Sequence, residues 1–280
     1  MSVVVMTDST AYIPADIRAQ FNIEMLPLNV LIDDVSYEEE IDLTAEAFYP
    51  LVRKAKDLPK TSQPSIGYIT DRLEKLAKDY DAVISIHLSS GISGTYQALV
   101  AASNMVEGIT VYPFDSEISC MAQGFYVLEA AEMAQAGSDA TTIMQRLQEI
   151  KQTMRGYFVV DDLTHLHRGG RLNGAQALLG SVLQVKPVLH FVDKIIVPFE
   201  KIRTQKKAVK RIVSLFDEDA KTGKAIRASV IHANRPQEAE AIKQELESTY
   251  KNVEITTSYF GAVIGTHLGE GAIGLVWYIK

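Results

Sequence analysis

Three short stretches of this 280-residue sequence concentrate hydroxyls, glycines and a histidine where strands and helices meet. The first is Ser89-Ser90-Gly91-Ile92-Ser93-Gly94-Thr95. It follows a hydrophobic run and precedes an amphipathic one, so it falls where a strand ends and a helix begins. In an open α/β sheet the crevice beyond the strand ends is the usual ligand position. Its glycines admit a ligand close to the backbone, its hydroxyls donate hydrogen bonds, and a helix start adds free N–H groups with a partial positive charge. An anionic head group suits such a place. The segment reads equally well as a helix N-cap in a Gly/Ser loop. It makes a poor nucleophile elbow, because G-x-S-x-G separates serine from the second glycine and here Gly94 directly follows Ser93.

The second stretch, Thr61-Ser62-Gln63-Pro64-Ser65, is a polar loop ahead of a helix starting near Ile66; alone it reads as a cap. The third, Gly261 to Gly271, is a Gly-rich turn carrying His267, which is able to donate to a carboxylate or simply to bond backbone. Its end, Gly269-Glu270-Gly271-Ala272-Ile273-Gly274, fits G-x-G-x-x-G. The dinucleotide fingerprint also needs a following helix and a distant acidic residue, and only the strand-like Leu275–Ile279 follows. The pair His165 and His167 reads as part of a turn. No cluster has metal-ligand spacing and no Walker A motif occurs.

The elements that must position these stretches change character along the chain. The first half alternates β-branched runs (Val3–Thr7, Glu24–Leu31, Ala82–Leu88, Ile109–Pro113) with helical patterns (Pro14–Phe21, Thr44–Ala55, Ile66–Asp79, Thr95–Met105, Ser116–Ala136), the signature of βαβ units and a mostly parallel sheet. A further helical pattern covers Asp139–Gly156. From Tyr157 onward the strands read as hairpins, as in Leu189–Phe191 followed by Lys194–Phe199. The boundary between two domains, 1–155 and 156–280, is therefore placed near residue 155.

Composition limits the competing functions. A chain that is 47% hydrophobic has enough apolar material for a core and a cavity. The single cysteine, Cys120, rules out an intramolecular disulfide, and Met1 leads into Ser2-Val3-Val4-Val5 with neither a basic n-region nor a long apolar h-region, which points to the cytoplasm. Every apolar run is interrupted well before the roughly 18 residues a membrane span needs. A net charge of -7 disfavours a nucleic-acid binder.

Taken in order, the motifs resemble the DegV family. Thr7-Asp8-Ser9-Thr10-Ala11 is similar to its opening Asp-Ser motif, and Leu26-Pro27-Leu28-Asn29-Val30 to the strand that follows. Tyr37, Asp42-Leu43-Thr44 and Phe48-Tyr49 continue the match, then Thr61 to Ser65 and the serine-glycine segment through Gln97. Gly169-Gly170-Arg171-Leu172, Lys186-Pro187 and the His267 segment complete it. Each motif is weak alone; their order and intervals over nearly the whole chain make the signal specific. One departure is Glu38-Glu39-Glu40, where the family often has a Gly or Asp turn, which leaves that loop's conformation open.

The resemblance implies an α/β fold of two domains, an N-terminal three-layer α/β/α unit with a mostly parallel sheet and a C-terminal two-layer α/β unit with a mixed sheet, with a ligand tunnel between them. It implies a carrier that binds a long-chain fatty acid and presents it to a separate ATP-dependent fatty-acid kinase for acyl-phosphate formation in lipid synthesis. By this resemblance Thr61, Ser93 and His267 bind the carboxylate, Ser62 and Gly94 support the loops, and Arg171, in an exposed turn with Arg168, contacts the kinase or stabilises charge near the acyl head. The chain would be no catalyst itself and would need neither cofactor nor metal. Burying about fifteen methylenes of such an acid yields roughly 12 kcal/mol before ordering costs. The head needs donors, because an unpaired buried carboxylate is strongly unfavourable.

Lys201, Arg203, Lys206, Lys207, Lys210 and Arg211, beside an apolar stripe of Val209, Ile212, Val213 and Phe216, read as a solvated helix face, with transient contact to a partner or a membrane surface as the alternative. Cys120, Met121 and Met133 read as core, with part of that face available to an acyl tunnel. The same residues allow two rival functions: a serine-dependent esterase or thioesterase using Ser93 and His267, and a lipid-sensing regulator.

Overall fold

A computed structural model of the chain describes residues 2–172 and 185–280. In chain order the first part contains β1 (Val3–Asp8), α1 (Ala15–Phe21), β2 (Ile23–Leu26), β3 (Asn29–Ile32), β4 (Val35–Glu38), α2 (Ala45–Val52), β5 (Lys60–Ser62), α3 (Ile66–Leu76), β6 (Ala82–His87), α4 (Thr95–Ser103), β7 (Thr110–Asp115), α5 (Cys120–Gln135) and α6 (Ala140–Thr153). Four of these strands form an all-parallel sheet in the order β2-β1-β6-β7. Alternation along β1 and β6 explains why helices cover both faces. Val4, Met6 and Val83 turn to Ile69 and Leu73 of α3 and Leu99 of α4, whereas Val5, Ile84 and Ile86 turn to Phe125 and Val127 of α5.

The second part contains β8 (Arg155–Val159), α7 (Thr164–Arg168), β9 (Val188–Val192), β10 (Ile195–Glu200), α8 (Gln205–Ala220), β11 (Ile226–His232), α9 (Pro236–Thr249), β12 (Val253–Tyr259), α10 (Ala262–Leu268) and β13 (Ile273–Ile279). Its six-stranded sheet has the order β10-β9-β8-β13-β11-β12, with only β11 and β12 parallel. α8 and α9 cover one face through Ala208, Ile212, Phe216 and Leu246, which pack against Val230, Leu275 and Trp277. Lys206, Lys207 and Lys210 stand exposed on the outer side of α8. The other face of the sheet, including Leu189, Ile231, Val276 and Tyr278, joins one core with α5 and α6 of the first part. The α/β expectation, parallel sheet first and mixed sheet second, holds.

Several local expectations are corrected. Glu24–Leu31 is not one strand: Pro27, which has no N–H to give a ladder, separates β2 from β3. β3 joins an additional three-stranded antiparallel sheet, β4-β3-β5, which the βαβ pattern did not foresee. Thr61 and Ser62 therefore lie in a strand, while Ser65 caps α3 by accepting the Tyr68 N–H at 3.2 Å. The helix expected from Ser116 starts at Cys120. Ahead of it the Asp115 carboxylate accepts the Glu117 N–H, and Glu117 and Cys120 both take positive φ, 58° and 60°. The helix expected to reach Gly156 stops at Thr153, and Gly156 lies in β8. His165 and His167 sit on α7 rather than in a turn.

Candidate functional site

Asp8 closes β1 and fixes where the serine-glycine segment leaves the sheet. Completely buried, it accepts the Thr10 N–H and hydroxyl on one oxygen and the Leu88 N–H and the His87 ring on the other. Burial pushes its carboxyl up, but the His87 bond and charge and the Thr10 and Leu88 bonds outweigh it and hold it below the ordinary carboxylate value. The ends of β1 and β6 are thereby locked together, and Ser89 to Gly94 start from a rigid edge.

That segment then reaches the second part. Ser89 donates its hydroxyl to the Lys194 carbonyl at 2.6 Å, in the tight β9–β10 turn where Asp193 and Lys194 both take positive φ. A Cβ on Gly91 would lie 2.4 Å from the same carbonyl oxygen, so this approach requires glycine. Ser93 Oγ accepts the Thr95 N–H at 3.3 Å and shares a hydrogen bond with the buried Thr95 hydroxyl at 2.9 Å. When the Thr95 hydroxyl donates, the Ser93 proton is left to point away from the helix.

Thr61 arrives from β5, where it pairs with Val30. Its hydroxyl is 2.8 Å from Nε2 of His267. His267 belongs to α10 and not to a turn, and α10 lies close against α2: a Cβ on Gly265 would meet Phe48 at 2.8 Å and the Tyr49 hydroxyl at 2.9 Å. Tyr49 donates its hydroxyl to the Phe260 carbonyl at 2.6 Å and secures the entry to the helix. Burial, with Arg171 and His165 nearby, lowers the His267 pKa to about 4, so the ring is neutral at pH 7. Its Nδ1 is buried without a hydrogen-bond partner among the described residues. With the proton on Nε2, His267 donates to Thr61 and frees the threonine proton for a further acceptor.

These groups share the wall of a cavity of about 390 Å3 between the two parts of the chain. Leu28, Leu88, Phe158, Phe260 and Val276 make much of the remaining wall apolar. This volume falls in the range of sites for small organic ligands. Gln63 and Gly94 meet across the two loops, and Ser62 also lines the cavity. Arg171 differs from expectation. It is half-buried rather than exposed, it lines the cavity, and its guanidinium donates to the carbonyls of Ile92 at 3.0 Å and Gly169 at 2.6 Å. Two glycines in succession predicted an exposed turn; the guanidinium instead ties that turn to the serine segment. Cys120, Ser119 and Ile118 line the cavity from the start of α5, Met121 and Met133 do not, and Arg168 is exposed.

Two residues carry weight that the sequence did not signal. Glu39, inside the acidic run whose loop conformation the sequence left open, is completely buried against α10. Ser85, His87 and Asp8 have the connectivity of a nucleophilic triad, with Ser85 Oγ 2.7 Å from His87 Nε2 and His87 Nδ1 2.9 Å from Asp8, yet all three are sealed from solvent and none lines the cavity. Among the described residues no group of three His, Cys, Asp or Glu side chains is placed to hold a metal ion, and no helix is long and apolar enough to cross a membrane.

A family model described as "Uncharacterised protein, DegV family" matches residues 2–280. Protein DegV of Bacillus subtilis is 59% identical over 281 residues, covering 100% of both chains. A DegV domain-containing protein of Listeria innocua is 51% identical over 99% of each. Among solved structures, that of DegV from Bacillus subtilis, described as a fatty acid binding protein, superposes with a TM-score of 0.95 over 100% of both chains. A Thermus thermophilus DegV family protein, described by its fatty acid binding, superposes with a TM-score of 0.93 at 30% identity, again over 100% of both.

Proposed function

Because the chain belongs to the DegV family, we propose that it binds one long-chain fatty acid in the cavity between its two parts and presents the carboxylate to a separate ATP-dependent fatty-acid kinase. The observation that carries this reading is the division of the cavity wall. Thr61, Ser93, His267 and Arg171 are linked to one another's loops by hydrogen bonds and close contacts, while much of the remaining wall is apolar. In this reading residues 1–155 and 156–280 are the two domains; α6 ends at Thr153 and the second sheet begins with β8 at Arg155, which supports a division near that point.

The tail supplies affinity by leaving water, at about 0.8 kcal/mol per buried methylene before ordering costs. The head group is held by donors that are themselves held from behind. Thr61 is oriented by the neutral His267, Ser93 by Thr95, and the Arg171 charge lies near enough to both loops to favour a carboxylate. Of the two roles expected for Arg171, its place on the cavity wall favours the one at the acyl head, where a positive charge would also stabilise a forming acyl-phosphate. The chain supplies no phosphoryl-transfer chemistry of its own in this scheme; the kinase brings ATP. The relatives' described fatty acid binding supports the first half of the proposal, and the second half rests on the family resemblance.

A serine esterase is less well supported, since His267 is bonded to Thr61 and Ser93 to Thr95, not to each other. Native mass spectrometry of the purified protein, with extraction of the bound lipid, tests the carrier reading. One fatty acid per chain is expected, and protein that neither carries nor takes up fatty acid would refute it. Turnover of activated acyl esters with a covalent Ser93 adduct would transfer support to the esterase.

A further inference from the structure

Nothing in the acidic run Glu38-Glu39-Glu40 suggests burial, yet the Glu39 carboxylate lies where three segments meet. Oε2 accepts the Ser9 hydroxyl at 2.6 Å; Oε1 accepts the Tyr12 hydroxyl at 3.0 Å and the Val263 N–H at 2.7 Å. Neighbouring bonds fix these directions. Ser9 Oγ accepts the Leu28 N–H at 3.1 Å, and the Tyr12 oxygen accepts the Ile264 N–H at 3.4 Å, so both hydroxyl protons turn to Glu39. A backbone N–H only donates. The first turn of α10, in the second part of the chain, is thus bonded to a carboxylate and a phenol carried by the first part.

Packing alone does not need a carboxylate here. Phe48 and Tyr49 already close on Gly265, and a Cβ on Gly261 would collide with the Tyr12 ring at 2.3 Å. Burying a carboxylate costs free energy, which only its hydrogen bonds offset. What Glu39 adds is direction: two acceptor oxygens that hold three donors in one arrangement. Because α10 is a short rigid helix with Val263 in its first turn and His267 in its last, a shift at Val263 is carried to the His267 ring.

We propose that Glu39 is a positioning residue for the head-group site: it fixes the first turn of α10 against Ser9 and Tyr12 and so sets His267 at hydrogen-bonding distance from Thr61. The inference rests on the reading of Thr61 and His267 as part of the carboxylate site, and its test separates the two. The imidazole 15N signals of His267 in ligand-free protein report the Thr61 bond directly, and palmitate titration reports the function.

Glu39→Ala is expected to shift the His267 signals and weaken palmitate binding about tenfold or more, the consequence of leaving three buried donors without their acceptor. Glu39→Gln, which keeps an acceptor for Val263, should retain most of both. In a His267→Ala background, adding Glu39→Ala should weaken palmitate no further. Parent-like His267 signals in Glu39→Ala, or additive loss in the double variant, would overturn the inference and leave Glu39 a packing residue. If Glu39→Ala does not fold, Glu39→Asp takes its place. Its shorter reach should shift the His267 signals more than Gln does, and the reverse order would overturn the inference. A parent protein that takes up neither palmitate nor any other long-chain fatty acid refutes the carrier reading, while the imidazole signals still decide the role of Glu39.

Discussion

Two clusters in this molecule use the same parts to opposite ends. Around Asp8, a carboxylate, His87 and Ser85 form a closed chain of hydrogen bonds at the ends of β1 and β6, with every member sealed from solvent. Around α10, Glu39, His267 and Thr61 are also a carboxylate, an imidazole and a hydroxyl, but Glu39 touches only uncharged donors and His267 opens onto the cavity. The first cluster has triad connectivity but is sealed from the cavity; the second has no triad and faces the cavity. Connectivity alone therefore does not identify a reactive site. Position relative to the cavity decides, and the two clusters divide the labour: one holds the sheet edge from which the serine segment departs, the other presents donors.

The sharpest way to break that division is through Asp8. Asp8→Ala removes the partner of His87 and the acceptor of Leu88 and Thr10, and it should cost about 3 to 5 kcal/mol of stability, as expected when one member of a buried pair is removed. Urea unfolding measures it. His267→Ala, in contrast, should change stability at pH 7 by no more than about 1 kcal/mol while weakening fatty-acid binding. Equal stability losses in the two variants would mean that the α10 cluster is structural as well.

A smaller effect separates the two hydroxyls of the cavity from mere caps. Thr61→Ala and Ser93→Ala should each weaken fatty-acid binding by about 1.5 to 3 kcal/mol, the range for hydrogen bonds to a charged group. The double variant should lose less than the sum, because both hydroxyls address one carboxylate. Both should also lose acyl-phosphate formation with kinase and ATP, since a misplaced oxygen cannot align with the transferred phosphoryl group. Parent-like binding and phosphorylation in both single variants would reduce Ser93 and Thr61 to local structure.

What the sequence made legible and what it hid follow from the range of the forces involved. Hydrophobic period and capping residues act locally, so the alternation of β1, α3, β6 and α4 and the hairpin of β9 and β10 can be read directly from the chain. The same rules put Ser93 at a strand-to-helix junction, Thr61 in a polar loop and His267 in a Gly-rich turn; the family resemblance singled the three out, and the structure brings all three to one cavity wall. Local rules failed where a distant contact overrides them. Gly261 and Gly265 look like turn residues, but they are small because α10 must approach Tyr12, Phe48 and Tyr49. The burial of Glu39 could not be read because its partner Val263 lies more than two hundred positions away. The burial of Arg171 was hidden for the same reason: its anchor at Ile92 lies far upstream. Pro27 was a visible signal that splits β2 from β3.

The smallest expected effect is also the one that sets the two members of the α10 cluster against each other. Burial raises the Glu39 carboxyl to about 7 against its three hydrogen bonds, with Glu40 adding to the rise; Tyr12, Tyr49, Cys120 and Tyr259 face it from the surrounding elements. A folded pKa above the unfolded value means that the folded state binds the proton more tightly, so the stability Glu39 contributes is greatest below its unfolded pKa and is lost as pH rises through about 7. His267 runs the other way. Its pKa is depressed to about 4 by burial, so the unfolded chain takes up a proton first, and its contribution is present above the unfolded value and lost as pH falls toward about 4. Between pH 5 and 6.5 the two slopes oppose, each at most about 1.4 kcal/mol per pH unit. Relative to the parent, Glu39→Gln should therefore gain stability with rising pH in this window, and His267→Ala should lose it. Urea midpoints at three pH values read the difference directly, with the other carboxylates cancelling between variant and parent. Parallel curves for all three proteins would mean that neither group changes its proton on folding, and the contrast between a sealed cluster and one strained by burial would lose its electrostatic basis.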